Sequence, residues 1–253
     1  MSNIIYWTLI ETPANFPGDN AGFLAASERQ KLATLRFRKR REEWLLGRWT
    51  AKSLVQSIPA YQRYSLDEIE IRNNPEGAPR FFLPGEAAPP DCLTISHRDR
   101  FALCALVPGA DLHLGADLEI VEPHTAAFVA DYFTAEEQRL VSACPAEARE
   151  TIICLVWSAK ESMLKALGVG LRWDTRQVEI REITTLETGI SKAGGWHPLQ
   201  VRDATRNDRQ WAAWWQRRGP LILTMAGFSD QIDPWTMVLT EQHVQNRLAS
   251  LIK

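Results

Sequence analysis

Cysteine is scarce and poorly spaced for chemistry. Cys92, Cys104, Cys144 and Cys154 are the whole set, and no pair has the CxxC gap of a zinc or dithiol site. They read as buried or half-buried thiols of a reducing cytosol. Long apolar runs are also missing. No stretch of about 18 hydrophobic residues occurs, which excludes a transmembrane helix. The first eleven residues lack the basic flank and apolar core of a signal peptide, so the expected compartment is cytoplasmic. Charge of one sign is not in excess: 29 Lys and Arg face 31 Asp and Glu, for a net −2. That removes any global electrostatic case for a nucleic-acid partner. The Gly-x-Ser-x-Gly elbow of serine hydrolases is absent. No Walker sequence occurs, and Gly168-Val169-Gly170 follows a helical pattern and lacks the third glycine of a dinucleotide fingerprint.

What is present is the balance of a globular protein, 45% hydrophobic and 24% charged over 253 residues. At about 150 residues per domain this allows one large domain or two small ones. Ile4 to Ile10 predicts an opening strand, and Pro13, Pro17 and Gly18 a loop. Helices are expected over Phe23–Leu35 and Glu42–Ile58, the second ended by Pro59. A short strand lies within Leu66–Ile71, and Asn73 to Pro79 is a turn cluster. Leu93–Ser96, Phe101–Val107 and Leu112–Glu119 are strand candidates. Thr134 and Glu137 form a capping box. A long helix is expected from Ala146 to Leu167, stopped by Gly168. Strands follow near Val178–Ile183, Leu199–Val201, Gln210–Trp215 and Leu221–Met225. Trp49-Thr50-Ala51-Lys52 on the first long helix returns as Trp157-Ser158-Ala159-Lys160 on the second. The repeated order of helix then strands points to two similar α/β halves, residues 1–112 and 113–253.

Several residues could carry chemistry. Asp117 and Glu119 share one face of a strand. Two such carboxylates repel unless a cation lies between them, so the pair is either a divalent-ion site, Mg²⁺ foremost, or a solvated strand edge. Glu161 and Lys165 share a helix face at i, i+4, with Lys160 beside them. They form either a surface salt bridge or, given the apolar bulk of Trp157 and Leu164, a site between two halves. Ser96-His97-Arg98 at a strand end offers donors to an anion, while a lone loop histidine is also commonly just exposed. Arg36, Arg38, Lys39, Arg40 and Arg41 make a basic run, read either as a solvated helix entry or as a surface for phosphates or an acidic protein.

Taken in order, Gly77-Ala78-Pro79, Ile95-Ser96-His97, Gly115-Ala116-Asp117-Leu118-Glu119, Phe133-Thr134-x-x-Glu137 and Trp157-Ser158-Ala159-Lys160-Glu161-Ser162-x-x-Lys165 resemble the 4′-phosphopantetheinyl transferases of the larger, monomeric Sfp type. The resemblance implies an α/β (α+β) pseudodimer with the active site between its halves. It implies transfer of the phosphopantetheine arm of coenzyme A to a serine of an acyl or peptidyl carrier protein, with release of adenosine 3′,5′-bisphosphate. The carrier could serve fatty-acid, polyketide or nonribosomal-peptide synthesis. The implied metal is Mg²⁺, with Mn²⁺ as the alternative ion, held by Asp117, Glu119 and Glu161. Glu161 falls on the proposed general base, and Lys165 on a pyrophosphate contact. Ser96 and His97 fall on coenzyme A phosphate contacts, His97 with a catalytic share. Lys31, Lys160 and Asp117 join the coenzyme A set. This chain departs from the family in having Ala78 where Gly-Lys-Pro is common, and Arg80 is the candidate replacement cation. No nucleic acid or membrane partner is implied. The rival readings are a Mg-dependent phosphohydrolase using the same carboxylates, and a non-catalytic nucleic-acid binder through residues 36–41.

Overall fold

Two antiparallel hairpin systems, each backed by one long helix, organise the chain. The computed structural model describes residues 4–12, 22–109, 112–183, 195–206, 209–231 and 233–243. The expected loop at Pro13, Pro17 and Gly18 lies outside them. The chain divides into two compact units, residues 1–110 with 238–253, and residues 111–237.

In the first unit, β1 (Ile4–Glu11) is followed by α1 (Ala26–Thr34), α2 (Arg38–Ser57) and the hairpin of β2 (Glu70–Asn73) and β3 (Pro79–Phe82). β4 (Cys92–Arg98) and β5 (Phe101–Val107) are joined by Asp99 and Arg100. Asp99 takes φ 54°, the left-handed value that a two-residue hairpin turn demands. β5 pairs with β1, and β1 pairs in parallel with a final strand, Val238–Glu241. Ala51, Leu54 and Val55 of α2, with Ile58 just past its end, bury their side chains against Leu93, Cys104 and Leu106.

In the second unit, β6 (His113–Ile120) is followed by α3 (Ala126–Tyr132), α4 (Ala135–Ala143) and α5 (Arg149–Ala166). β7 (Val178–Glu182), β8 (His197–Asp203), β9 (Gln210–Arg218) and β10 (Leu221–Ser229) complete an antiparallel sheet in the order β6-β10-β9-β8-β7. Ile152, Leu155, Val156, Ala159 and Met163 of α5 pack with Ala213, Trp215, Ile222 and Ala226 in one core. Gly115 lets helix and sheet meet. A Cβ there would stand 1.9 Å from the Ser162 carbonyl oxygen and 2.9 Å from Lys165 Cβ. α5 ends at Gly168, whose φ is +71°. The Thr134–Glu137 capping box forms as expected, with backbone-to-side-chain distances of 2.8 and 3.3 Å.

Each unit also holds one fully buried lysine clasped by a glutamate. In the first, Lys52 of α2 pairs with Glu28 and donates to the carbonyls of Phe23 and Leu66, at 2.9 and 3.0 Å. Glu28 also accepts from the backbone N–H of Ala25 and Ile71. In the second, Lys160 pairs with Glu137 at 2.6 Å and donates to the Val178 carbonyl at 2.7 Å. Glu137 accepts from the backbone N–H of Thr134 and Ile180. Each clasp ties the start of a short helix, a long helix and a strand together. It gives the recurring Trp-x-Ala-Lys sequence a structural meaning.

Three features differ from the sequence pattern. α2 begins at Arg38 and not at Glu42, so most of the basic run is helical. α3 and β3 are additional elements. The strand Val238–Glu241 (β11) belongs to the first unit's sheet, whereas the sequence division assigns residues to 253 to the second half. Its four residues take their conformation from β1, not from a pattern of their own. Among the described residues, no helix is long and apolar enough to cross a membrane.

Candidate active site

β6 carries Asp117 and Glu119 on one face, as their spacing requires. Asp117 is buried and sits opposite Thr224 in the β6–β10 register. Its Oδ2 accepts from Ser158 Oγ at 2.9 Å, and its Oδ1 from Lys165 Nζ at 2.6 Å. Lys165 also donates to the Ala116 carbonyl at 3.2 Å. Glu119, half-buried, accepts from the Trp157 indole N–H at 3.2 Å. That indole is itself held edge-on by Phe128 and Tyr132, whose ring centroids lie 5.0 and 5.2 Å away.

Glu161 is half-buried on α5, one residue beyond Lys160 and four before Lys165. Burial pushes its carboxyl above the usual carboxylate range. The neighbouring Asp117 charge pushes the same way, and Lys165 opposes both. Asp117 and Glu161 thus feel each other as like charges and share one ammonium. Two carboxylates that repel each other in this way fit a hard divalent cation. Among the described residues, no three His, Cys, Asp or Glu side chains close into a ready cage. Mg²⁺ does not need one, since it is usually held by one or two carboxylates, with waters and substrate phosphates filling the remaining positions.

Lys160 is a correction. The resemblance counts it among coenzyme A contacts, but the structure buries it completely against Glu137 and Val178. Adjacent helical residues point about 100° apart, so Glu161 and Lys160 leave the helix on different faces. Burial lowers the Lys160 ammonium below its ordinary value, and Glu137 opposes that shift.

The first unit holds a cleft of about 530 Å³. Lys31 and His97, expected as coenzyme A phosphate contacts, line it. Arg40, from the basic run read as a helix entry or a phosphate surface, lines it too, with Trp44, Arg48 and Arg72, which the sequence pattern does not single out as a site. The readable signal is the spacing of Arg40, Trp44 and Arg48, which puts all three on one face of α2. Arg48 lies 5.0 Å from the Trp44 ring centroid, in cation–π contact, and donates to Asn73 at 3.2 Å. Burial lowers its guanidinium, Glu28 nearby opposing the shift. Such a concave, cation-lined surface suits a phosphate-bearing ligand.

Two expected members of this set lie elsewhere. Ser96 is buried on the opposite face of β4 from His97, because successive strand residues alternate. Arg80 is exposed and donates to the Pro89 carbonyl at 3.0 Å, outside the cleft lining. The basic run also divides by role. Arg38 and Lys39 form exposed ion pairs with Glu42 and with Asp99. Arg41 donates to the Leu32 carbonyl at 2.8 Å, near the end of α1. Arg40 lines the cleft.

The geometry agrees with what the chain resembles. Residues 113–224 match the 4′-phosphopantetheinyl transferase superfamily. A relative, the 4′-phosphopantetheinyl transferase HetI of Nostoc sp., is 24% identical over 195 residues, which cover 76% of this chain and 79% of that protein. Among solved structures, a holo-(acyl-carrier-protein) synthase from Bacillus anthracis in complex with coenzyme A (3′,5′-ADP) is 24% identical. It covers 40% of this chain and 91% of that one, with a TM-score of 0.33. The matched span, residues 113–224, is the one that holds Asp117, Glu119, Glu161 and Lys165.

Proposed function

We propose that this protein transfers the 4′-phosphopantetheine arm of coenzyme A to a serine of an acyl or peptidyl carrier protein, with Mg²⁺ as the cation. One observation carries the reading. Within the segment that matches the superfamily, a buried aspartate is held by a hydroxyl and an ammonium, beside a glutamate whose carboxyl is pushed up by burial and by that aspartate.

In the reaction, the carrier serine oxygen forms a bond to the β-phosphorus of coenzyme A. The bridge to the α-phosphate breaks, and adenosine 3′,5′-bisphosphate leaves. Glu161 accepts the serine proton, directly or through one water. General-base assistance of this kind is worth about 10²–10⁴-fold. Lys165, about a quarter exposed, brings a fixed positive charge to the pyrophosphate. Asp117, Glu119 and Glu161 would hold the cation, which, when bound, neutralises charge on the pyrophosphate oxygens. In the first unit, Lys31, Arg40, Arg48 and His97 would bind the phosphates of coenzyme A. The compartment we infer is the cytoplasm.

The test is release of adenosine 3′,5′-bisphosphate from coenzyme A with and without an apo carrier protein. The transferase reading expects release only when the carrier is present. Release without a carrier would instead make this a phosphohydrolase. A panel of fatty-acid, polyketide and nonribosomal-peptide carriers then ranks the pathways by kcat/KM.

A further inference from the structure

Three hydroxyls form a line behind the Asp117 carboxylate. Ser158 and Ser162 lie one turn apart on α5, Thr224 faces them from β10, and all three are fully buried. Ser158 Oγ is 2.9 Å from Asp117 Oδ2 and 2.9 Å from Thr224 Oγ1. Thr224 Oγ1 is 2.7 Å from Ser162 Oγ, which also lies 3.2 Å from the Thr224 carbonyl.

Counting protons gives the line a direction. A hydroxyl has one proton to donate, and an ionised carboxylate can only accept. The Ser158 proton goes to Asp117, so Ser158 accepts from Thr224. With the Thr224 proton spent there, the Ser162 proton is shared between Thr224 Oγ1, at 2.7 Å, and the Thr224 carbonyl, at 3.2 Å. The order is Ser162 to Thr224 to Ser158 to Asp117, and each donor polarises the next.

The other unit supplies a comparison. Thr50 holds the place in Trp49-Thr50-Ala51-Lys52 that Ser158 holds in the second quartet. Its hydroxyl turns back on its own helix and donates to the Leu46 carbonyl at 2.8 Å. That is the habitual bond of a serine or threonine inside a helix. Ser158 instead sends its proton across to the strand.

We propose that Ser158, backed by Thr224 and Ser162, is a positioning residue of the Asp117 site. It fixes the Oδ2 edge of the carboxylate, so that Oδ1 is presented to Lys165 and to the incoming cation. The inference rests on the reading of Asp117 as a cation ligand. Hydrogen bonds to a metal-ligating carboxylate from behind typically control metal affinity by about 10- to 100-fold.

The experiment measures Mn²⁺ binding directly, from the paramagnetic resonance signal of the free ion, with no substrate present. Wild type, Ser158→Ala, Thr224→Val and Thr224→Ser are compared, each with its urea unfolding midpoint. Ser158→Ala is expected to raise the Mn²⁺ Kd about 10- to 100-fold. Thr224→Val, which keeps shape but removes the donor to Ser158, should raise it less, and Thr224→Ser should restore it. A folded Ser158→Ala protein with wild-type Kd overturns the inference. If that variant does not fold, equal Kd values for Thr224→Val and Thr224→Ser overturn it in the same way. Wild-type protein that binds no Mn²⁺ overturns the Asp117 site itself, and the positioning role with it.

Discussion

Replacing Lys160 with methionine should damage the fold and spare coenzyme A binding. The side chain is completely buried, and its ammonium makes three short contacts, two to Glu137 and one to the Val178 carbonyl. Methionine fills a similar volume but leaves Glu137 a buried carboxylate without its cation. Breaking one side of a buried pair costs about 3–5 kcal/mol, against a typical domain stability of about 5–15 kcal/mol. With a urea dependence of about 2 kcal/mol per molar, the midpoint should fall by about 2 M. Replacing both members would normally recover most of the loss. Here it should recover only part, because Glu137 also serves the backbone N–H groups of Thr134 and Ile180. The assay is urea unfolding of Lys160→Met, Glu137→Leu and the double variant, followed by tryptophan fluorescence. Kinetics below the transition complete it. An unchanged midpoint together with a raised KM for coenzyme A would refute this reasoning and return Lys160 to the binding site.

Gly115→Ala would force the α5 backbone away from β6, since the new Cβ would meet the Ser162 carbonyl oxygen at 1.9 Å. It should cost about 1–3 kcal/mol of stability and part of the transfer rate, read by denaturant melts and by initial velocities. Glu161→Gln should make the cation-free protein more stable than wild type at neutral pH. The native carboxyl is raised above its unfolded value, so the wild type loses stability as pH rises from the unfolded carboxylate pKa through the folded one, and the glutamine variant does not. Unfolding curves in EDTA at pH 4 and pH 7 check the sign: the advantage should be small at the lower pH and larger at the higher. His97→Ala should raise the KM for coenzyme A about 10- to 100-fold with little change in kcat, as expected for loss of a charge-assisted bond worth about 1.5–3 kcal/mol. A collapsed kcat with a steady KM would make His97 a catalytic group instead.

Much of this was legible because the signals were local. The strand spacing of Asp117 and Glu119, the Thr134–Glu137 box and the glycine stop after α5 are all short-range rules, and the structure follows them. Lys160 was misassigned because burial depends on tertiary packing. Its partner Glu137 lies on another helix, and nothing in the helix spacing of Lys160 names it. Ser96 was paired with His97 by adjacency, while strand alternation sends them to opposite faces. Thr224 was invisible as a site residue because only the β6–β10 register sets it opposite Asp117. The cleft arginines were hidden for the opposite reason. Arg40 sits in a run of cations whose members the fold sends to ion pairs, to a helix end and to the cleft.

The most direct measurement is the intact mass of a purified apo carrier protein after incubation with coenzyme A, Mg²⁺ and this protein. The account predicts that the carrier gains the mass of one phosphopantetheine arm on its serine. The gain should disappear with EDTA, return with added Mg²⁺, and be absent with a folded Asp117→Ala variant. A carrier whose mass never changes across the panel, or one modified equally well by Asp117→Ala, would contradict it.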